Sequence, residues 1–389
     1  MSKNEDTRQK RTDAASLDRR RFLGTGMALG AGAGSLLASL GLSEYANAQN
    51  APRAPGGGGA GPGGAGPRGR RKGFPPEPKF SQPPPLKHLK GKVAYISAAS
   101  DGIGLGIARA ASLAGMKVVI GYRNPERLAA ALPLFQKDNA GVLAVRHDVT
   151  DRDGWQRMLD TVEQHFGKLH LVVNNAGIKT LVEASKATYA DWDDAVAVNF
   201  TAIYNSVHVC LPHILKHGEG GHFVTTASMG GLLPGVNAGV YTSTKIAAVG
   251  IMEALRVELE TTTVGTGVFC PGAVITDNYL GTGKVDPFLA KHMPAFMRGR
   301  KFTPVGMLPL EAGERVLNGV VHNDLFILSH PEFKPGMAQR FEAIMDSTPS
   351  VETPIPPARI AYERGVISQG IYPLEIVHRK VKRKSYLTV

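Results

Sequence analysis

The stretch "KVAYISAASDGIGLG", residues 92–106, decides the fold. Its first half, "KVAYISA" (92–98), is a short apolar run with the length of a buried strand. Glycines then follow at 102 and 104, and from about 102 to 115 the pattern becomes helical. A glycine turn between a strand and a helix lets the backbone approach a ligand closely. The N–H groups and positive dipole end of the helix then face that ligand, an arrangement suited to a pyrophosphate.

Working outward, the alternation continues. "MKVVIGY" (116–122) reads as a second strand, with a helix near 125–138. "GVLAVRHDV" (141–149), "KLHLVVNNAG" (168–177), "GHFVTTAS" (221–228) and "GTGVFCPG" (265–272) are later strands with helical stretches between them. "DLFILSH" (324–330) is a final one. Strands separated by helices predict an α/β domain over 91–330: a doubly wound, mostly parallel sheet (Rossmann fold) in three α/β/α layers. In that architecture every ligand-binding loop gathers at the carboxyl edge of the sheet.

The chain has 389 residues and a net charge of +12, but the charge is unevenly placed. Residues 1–48 carry 7 Lys/Arg against 5 Asp/Glu, residues 49–90 carry 8 against 1, and the last sixteen carry 5 against 1. Residues 91–373 are left with 25 basic and 26 acidic side chains. The folded body is therefore neutral, which argues against nucleic acid as a partner. Cys210 and Cys270 both sit in apolar runs and read as buried free thiols, and no metal site is expected.

Residues 1–48 read as an export address. "DRRRFLGTGMALGAGAG" (18–34) places Arg19, Arg20 and Arg21 before Phe22 and Leu23 and an apolar run, and Ala46 and Ala48 form a small-x-small cleavage pattern. This resembles a twin-arginine signal, with Asp18 where Ser or Thr is usual, and implies the twin-arginine export machinery as a partner and a periplasmic destination. A cytoplasmic enzyme with a misleading N-terminus is the alternative. Residues 49–90 are Pro/Gly-rich and read as a disordered linker. No other apolar run is long enough for a stable membrane span.

The chemistry gathers around "YTSTK" (241–245), where Tyr241 and Lys245 share one helix face. Ser228 ends a strand thirteen residues earlier, and Asn199 lies in "AVNF" on the preceding helix. Together these motifs make residues 91–330 resemble the short-chain dehydrogenase/reductase family. "SAASDGIG" (97–104) is similar to its Thr-Gly-x3-Gly-x-Gly cofactor loop, with Ser97 for Thr and Ala98 for the first Gly. "NNAG" (174–177), "PGAVIT" (271–276) and the aspartate of "HDV" are similar to further motifs of that family.

The resemblance implies Asn199, Ser228, Tyr241 and Lys245 as catalytic residues. It implies a dinucleotide held by Ser97, Ser100, Asp101, Gly102, Ile103, Gly104, Arg123, Asp148, Val149, Asn175, Ala176, Gly177, Tyr241, Lys245, Pro271, Gly272, Val274 and Thr276. Asp148 would touch the adenine and Pro271–Gly272 would lie beside the nicotinamide. A tyrosine hydroxyl ordinarily ionises near pH ~10, and an ammonium at Lys245 favours its phenolate. Tyr241 then exchanges a proton with the substrate oxygen as hydride moves at carbon. Ser228 holds that oxygen, and Asn199 keeps a relay water in line. If Ala98 needs a positive φ, its methyl group costs about 1 kcal/mol.

At the end of the second strand stand Tyr122 and Arg123 rather than an acid, which favours NADP(H) over NAD(H). Residues 277–309 read as a substrate lid, rich in Met, Phe and Tyr, suited to an apolar or aromatic alcohol or ketone. Residues 331–389 form a C-terminal extension with a basic tail. "HPEFKPGMAQRFEAIMDSTP" (330–349) loosely resembles a subgroup acting on benzylic alcohols of lignin-derived aryl ethers. A homo-oligomer, dimer or tetramer, is expected. The function of a different class that these residues allow is a catalytically idle dinucleotide-binding module serving a partner protein.

Overall fold

The computed structural model describes residues 82–135, 141–276, 306–349, 355–366 and 370–380. The expected signal segment, the linker before residue 82, the lid over 277–305 and the tail beyond 380 lie outside the described residues.

Seven parallel strands form one sheet in the order β3-β2-β1-β4-β5-β6-β7. They are β1 (Val93–Ile96), β2 (Lys117–Tyr122), β3 (Val142–Arg146), β4 (Leu171–Asn174), β5 (Gly221–Thr226), β6 (Val264–Cys270) and β7 (Phe326–Leu328). Helices α1 (Gly102–Leu113), α2 (Pro125–Ala131), α3 (Arg152–Phe166), α4 (Tyr189–Val196), α5 (Ala202–His217), α6 (Gly239–Glu258) and α7 (Pro309–His322) connect them. The strand order reverses direction between β1 and β4. Loops leaving those two strands therefore diverge and open a crevice at the carboxyl edge.

Both faces of the sheet are covered, which is why the central strands β1, β4 and β5 are buried along their whole length rather than at alternate residues. On one face Tyr95, Val172, Phe223 and Val268 pack with Trp155 and Met158 of α3, Cys210 of α5 and Met252 of α6. On the other, Ile96, Ile120, Val173 and Phe269 pack with Ile107 of α1 and Val316 and Val320 of α7. Helices α1 and α7 meet backbone to backbone. A Cβ on Gly106 would lie 1.9 Å from the Pro309 carbonyl oxygen, and one on Gly313 would lie 2.3 Å from that of Gly106. Cys210 and Cys270 are buried and free, as their apolar neighbours in the sequence predict.

After β7 come α8 (Lys334–Asp346), α9 (Pro357–Val366) and α10 (Ile371–Lys380). Helix α10 docks on the domain through Ile371, which is buried, and through Arg379 and His378, whose nitrogens lie 3.2 and 3.3 Å from the buried Asp324 carboxylate. Among the described residues no helix is long and apolar enough to cross a membrane, and no His/Cys/Asp/Glu cluster is able to hold a metal.

Candidate active site

The crevice begins at Ser97, just past β1. Its hydroxyl donates to the Val173 carbonyl (3.3 Å) and accepts from the N–H groups of Asn175 (2.8 Å) and Ala176 (2.9 Å). Asn175 returns a bond from Nδ2 to the Ser97 carbonyl at 3.2 Å. The serine thus ties the ends of β1 and β4 together where the sheet changes direction. Its hydroxyl serves the scaffold, and Asn175, Ala176 and Gly177 are positioned by it.

Ala98 has φ +50°, in the left-handed region. This conformation brings its carbonyl so close to Gly104 that a Cβ there would sit 2.3 Å from the oxygen. Only glycine fits at 104, whereas at 98 a side chain is tolerated at a cost. Relief of left-handed strain, about 1–2 kcal/mol, outweighs the extra unfolded-state entropy of glycine, about 0.4–1 kcal/mol. Ala98→Gly is therefore expected to raise the thermal midpoint by a few degrees. An unchanged or lower melting temperature would show that the turn carries no strain.

Helix α1 starts at Gly102, whose φ is +54° and whose missing Cβ leaves room for Thr276 (3.2 Å). Asp101, the N-cap, makes no capping bond from its side chain and pairs with Arg127 of α2 instead. The first turn thus lacks a side-chain cap, which suits anion binding there. Ser100 and Gly104 are buried and Ile103 is half-buried.

At the adjacent edge, Arg123 Nη1 lies 3.2 Å from Asp148 Oδ2. Burial alone would raise the Asp148 carboxyl. Hydrogen bonds from the Thr150 N–H and hydroxyl, together with Arg123, outweigh it and hold the group below its ordinary range. The guanidinium that follows β2 is thus paired with a carboxylate from the loop after β3. Val149 is buried, and its carbonyl accepts from Trp155 Nε1 at 2.9 Å. Tyr95 and His147 share a 2.6 Å hydrogen bond beneath this loop, and burial pulls His147 down to about 4, so it is neutral.

Asn199 lies in a π-helical turn, Ala197–Thr201, between α4 and α5, a distortion frequent at functional sites. Its side chain pairs with both backbone groups of Ile178, accepting at 2.8 Å and donating at 2.9 Å, and also donates to Thr244 Oγ1 at 3.1 Å. It fixes the loop that follows Gly177. A Cβ on Gly177 would stand 3.3 Å from both Asn199 Oδ1 and Lys245 Nζ, so these three positions surround one space.

Ser228 and Tyr241 converge in the same way. A Cβ on Gly230 would lie 3.3 Å from Tyr241 Cε1 and 3.5 Å from Ser228 Oγ. Ser228 Oγ accepts from the Gly230 N–H at 3.0 Å, which fixes its rotamer and leaves its proton available. Lys245 is buried on α6, with Nζ donating to the Thr226 carbonyl at 3.0 Å and lying 5.7 Å from the Tyr241 ring centre. Burial brings Lys245 down to about 8, so the ammonium persists at neutral pH.

Residues 271–276 close the crevice. Pro271 accepts from the Met229 N–H (2.9 Å), and Val274 pairs with Met307, whose carbonyl accepts from the Ile275 N–H (2.9 Å). Gly272 and Ala273 are held by His330, 3.0 Å from each. Sequence reading missed His330, Thr226, Thr244 and Ile178 as parts of this assembly. The position of His330, two residues beyond the final strand, is the signal that places it at the ligand edge. The uncapped start of α1, the left-handed glycine at 102 and the Gly104 contact form a cradle consistent with a dinucleotide phosphate.

A model of the short chain dehydrogenase family matches residues 92–282. The C alpha-dehydrogenase of Sphingobium sp. strain SYK-6 is 29% identical over 275 residues, covering 69% of this chain and 90% of that protein. A putative short-chain type dehydrogenase/reductase of Mycolicibacterium smegmatis is 30% identical over 214 residues, covering 51% and 77%. Among solved structures, a short chain dehydrogenase/reductase from Burkholderia phymatum in complex with NAD is 27% identical with a TM-score of 0.60, over 69% of this chain and 99% of that one. The chain is an oxidoreductase by kinship and belongs to the short-chain dehydrogenase/reductase family.

Proposed function

We propose that this protein interconverts a secondary alcohol and its ketone, or an alcohol and an aldehyde, on an apolar or aromatic substrate with NADP(H), using Tyr241 as acid and base. The observation that carries the reading is the convergence of Ser228 and Tyr241 on one space at Gly230, with the Lys245 ammonium buried behind the ring. When bound, the dinucleotide supplies the hydride acceptor or donor. Ser228 holds the substrate oxygen through its free proton, and Tyr241 exchanges a proton with that oxygen. Lys245, fixed by Thr226, stabilises the phenolate. Asn199, whose side chain is held by Ile178 and Thr244, keeps a relay water in line with Lys245.

Similarity to a protein named a C alpha-dehydrogenase, together with the resemblance over 330–349, supports an aryl carbinol as substrate. The test is to supply 1-aryl secondary alcohols with NADP+ and follow ketone and reduced nicotinamide. Both should form in equal amounts. Tight dinucleotide binding with no turnover of any alcohol, ketone or aldehyde would favour the idle binding module instead.

We also propose export of the folded, nucleotide-loaded protein, on the strength of Arg19–Arg21, Phe22–Leu23 and the Ala46/Ala48 pattern. Lysine replaces the planar guanidinium fork by a point charge, so changing both Arg19 and Arg20 to Lys keeps charge while removing the recognition feature. Fractionation should find the wild type outside the cytoplasm, cut near Ala48 and carrying nucleotide, and the variant inside and uncut. Uncut wild type found only in the cytoplasm overturns the proposal.

A further inference from the structure

His330 stands just past β7, where the sheet has ended. The last paired residues of β6 and β7 are Cys270 and Leu328, so the segment that follows β6 is no longer paired with β7. The imidazole takes that place. Its Nδ1 accepts from the Gly272 N–H at 3.0 Å and lies 2.8 Å from Ser329 Oγ. An accepting Nδ1 leaves the ring proton on Nε2, which then donates to the Ala273 carbonyl at 3.0 Å. One side chain therefore satisfies the N–H of Gly272 and the C=O of Ala273 together.

Packing makes the contact specific. A Cβ on Gly272 would lie 2.8 Å from both His330 Cδ2 and Phe333 Cε2, so the glycine lies flat on the two rings. The Met307 N–H donates to the same Ala273 carbonyl at 3.0 Å. Thr276, at the end of the segment, reaches the space over Gly102 at the start of α1. Gly272 and Ala273 are thus held by the rings of His330 and Phe333 and by the backbone of Met307.

We propose that His330 is a positioning residue: it holds Gly272–Ala273 in the conformation that receives the nicotinamide end of the dinucleotide, while the adenosine end binds independently of it. The inference rests on the dinucleotide reading above, in which Pro271–Gly272 lie beside the nicotinamide. Preorganising a loop removes an ordering cost from binding, and only for the part of the ligand that the loop meets.

The test compares NADPH with 2′-phospho-ADP-ribose, which lacks only the nicotinamide ring, and NADH with ADP-ribose beside them. His330→Phe keeps the aromatic packing and removes both polar contacts. It should weaken NADPH binding roughly tenfold, the effect of one or two lost hydrogen bonds, and leave 2′-phospho-ADP-ribose within about twofold. His330→Asn, which restores an acceptor toward Gly272, should recover part of the loss. Equal weakening of both ligands, or no weakening of either, overturns the role of His330. If His330→Phe does not fold, the same comparison on His330→Asn decides, with a smaller loss confined to NADPH expected. A wild type that binds none of the four compounds defeats the dinucleotide reading itself.

Discussion

Tyr241→Phe is expected to lower turnover at least roughly a hundredfold while the fold stays intact, the usual consequence of removing a general acid or base. The substitution removes one oxygen from a half-buried ring, so packing against Gly230 is preserved. Lys245→Ala should produce a loss of the same order by removing the ammonium that favours the phenolate. Because Lys245 is buried against the Thr226 carbonyl, Lys245→Met, which keeps the stem, separates loss of charge from loss of packing. Lys245 is brought down to about 8 by burial, so it is charged below that pH and loses its charge above it. Its assistance to Tyr241 should accordingly fade as pH rises through that value. Near-normal turnover in Tyr241→Phe would end the proposed mechanism.

Arg123→Ala is expected to cost NADPH binding roughly 10- to 150-fold while NADH changes little, since a hydrogen bond to a charged group contributes about 1.5–3 kcal/mol. Two effects act in the same direction. The guanidinium, whose side chain is 68% exposed, is free to turn toward a 2′-phosphate, and its removal takes away that partner. Removal also uncovers the Asp148 carboxylate, which then repels a phosphate and suits a ribose hydroxyl. Dissociation constants for both reduced dinucleotides, measured on wild type and variant at one ionic strength, check this. A wild type that prefers NADH, or an unchanged ratio in the variant, would overturn the NADP(H) assignment.

The sheet was legible because a parallel sheet covered on both faces writes most of its strands as largely apolar runs, and each of the seven runs named from sequence falls on a strand. Tyr241 and Lys245 stood out in the sequence because helical spacing puts them on one face and Ser228 and Asn199 precede them in the order that the family resemblance implies. Other features depended on geometry that no local pattern encodes. The Arg123–Asp148 pair follows from the β2–β3 register, which aligns Tyr122 with Arg146. The π turn at Asn199 is hidden because "AVNFT" reads like any helical segment. His330 reaches Gly272 only because β7 lies beside β6, 58 residues later in the chain.

The two cysteines have a consequence for where the protein is able to work. Cys210 lies on a helix and Cys270 on a strand, both wholly buried, and burial pushes each thiol up to about 12. Thiolate is the species that oxidants and disulfide exchange attack, so neither sulfur is in a reactive form or within reach of one. The fold holds together without a crosslink, and its cysteines offer an oxidising milieu neither a staple nor a target. As far as the cysteines are concerned, transfer from a reducing compartment to an oxidising one asks for no change of covalent structure.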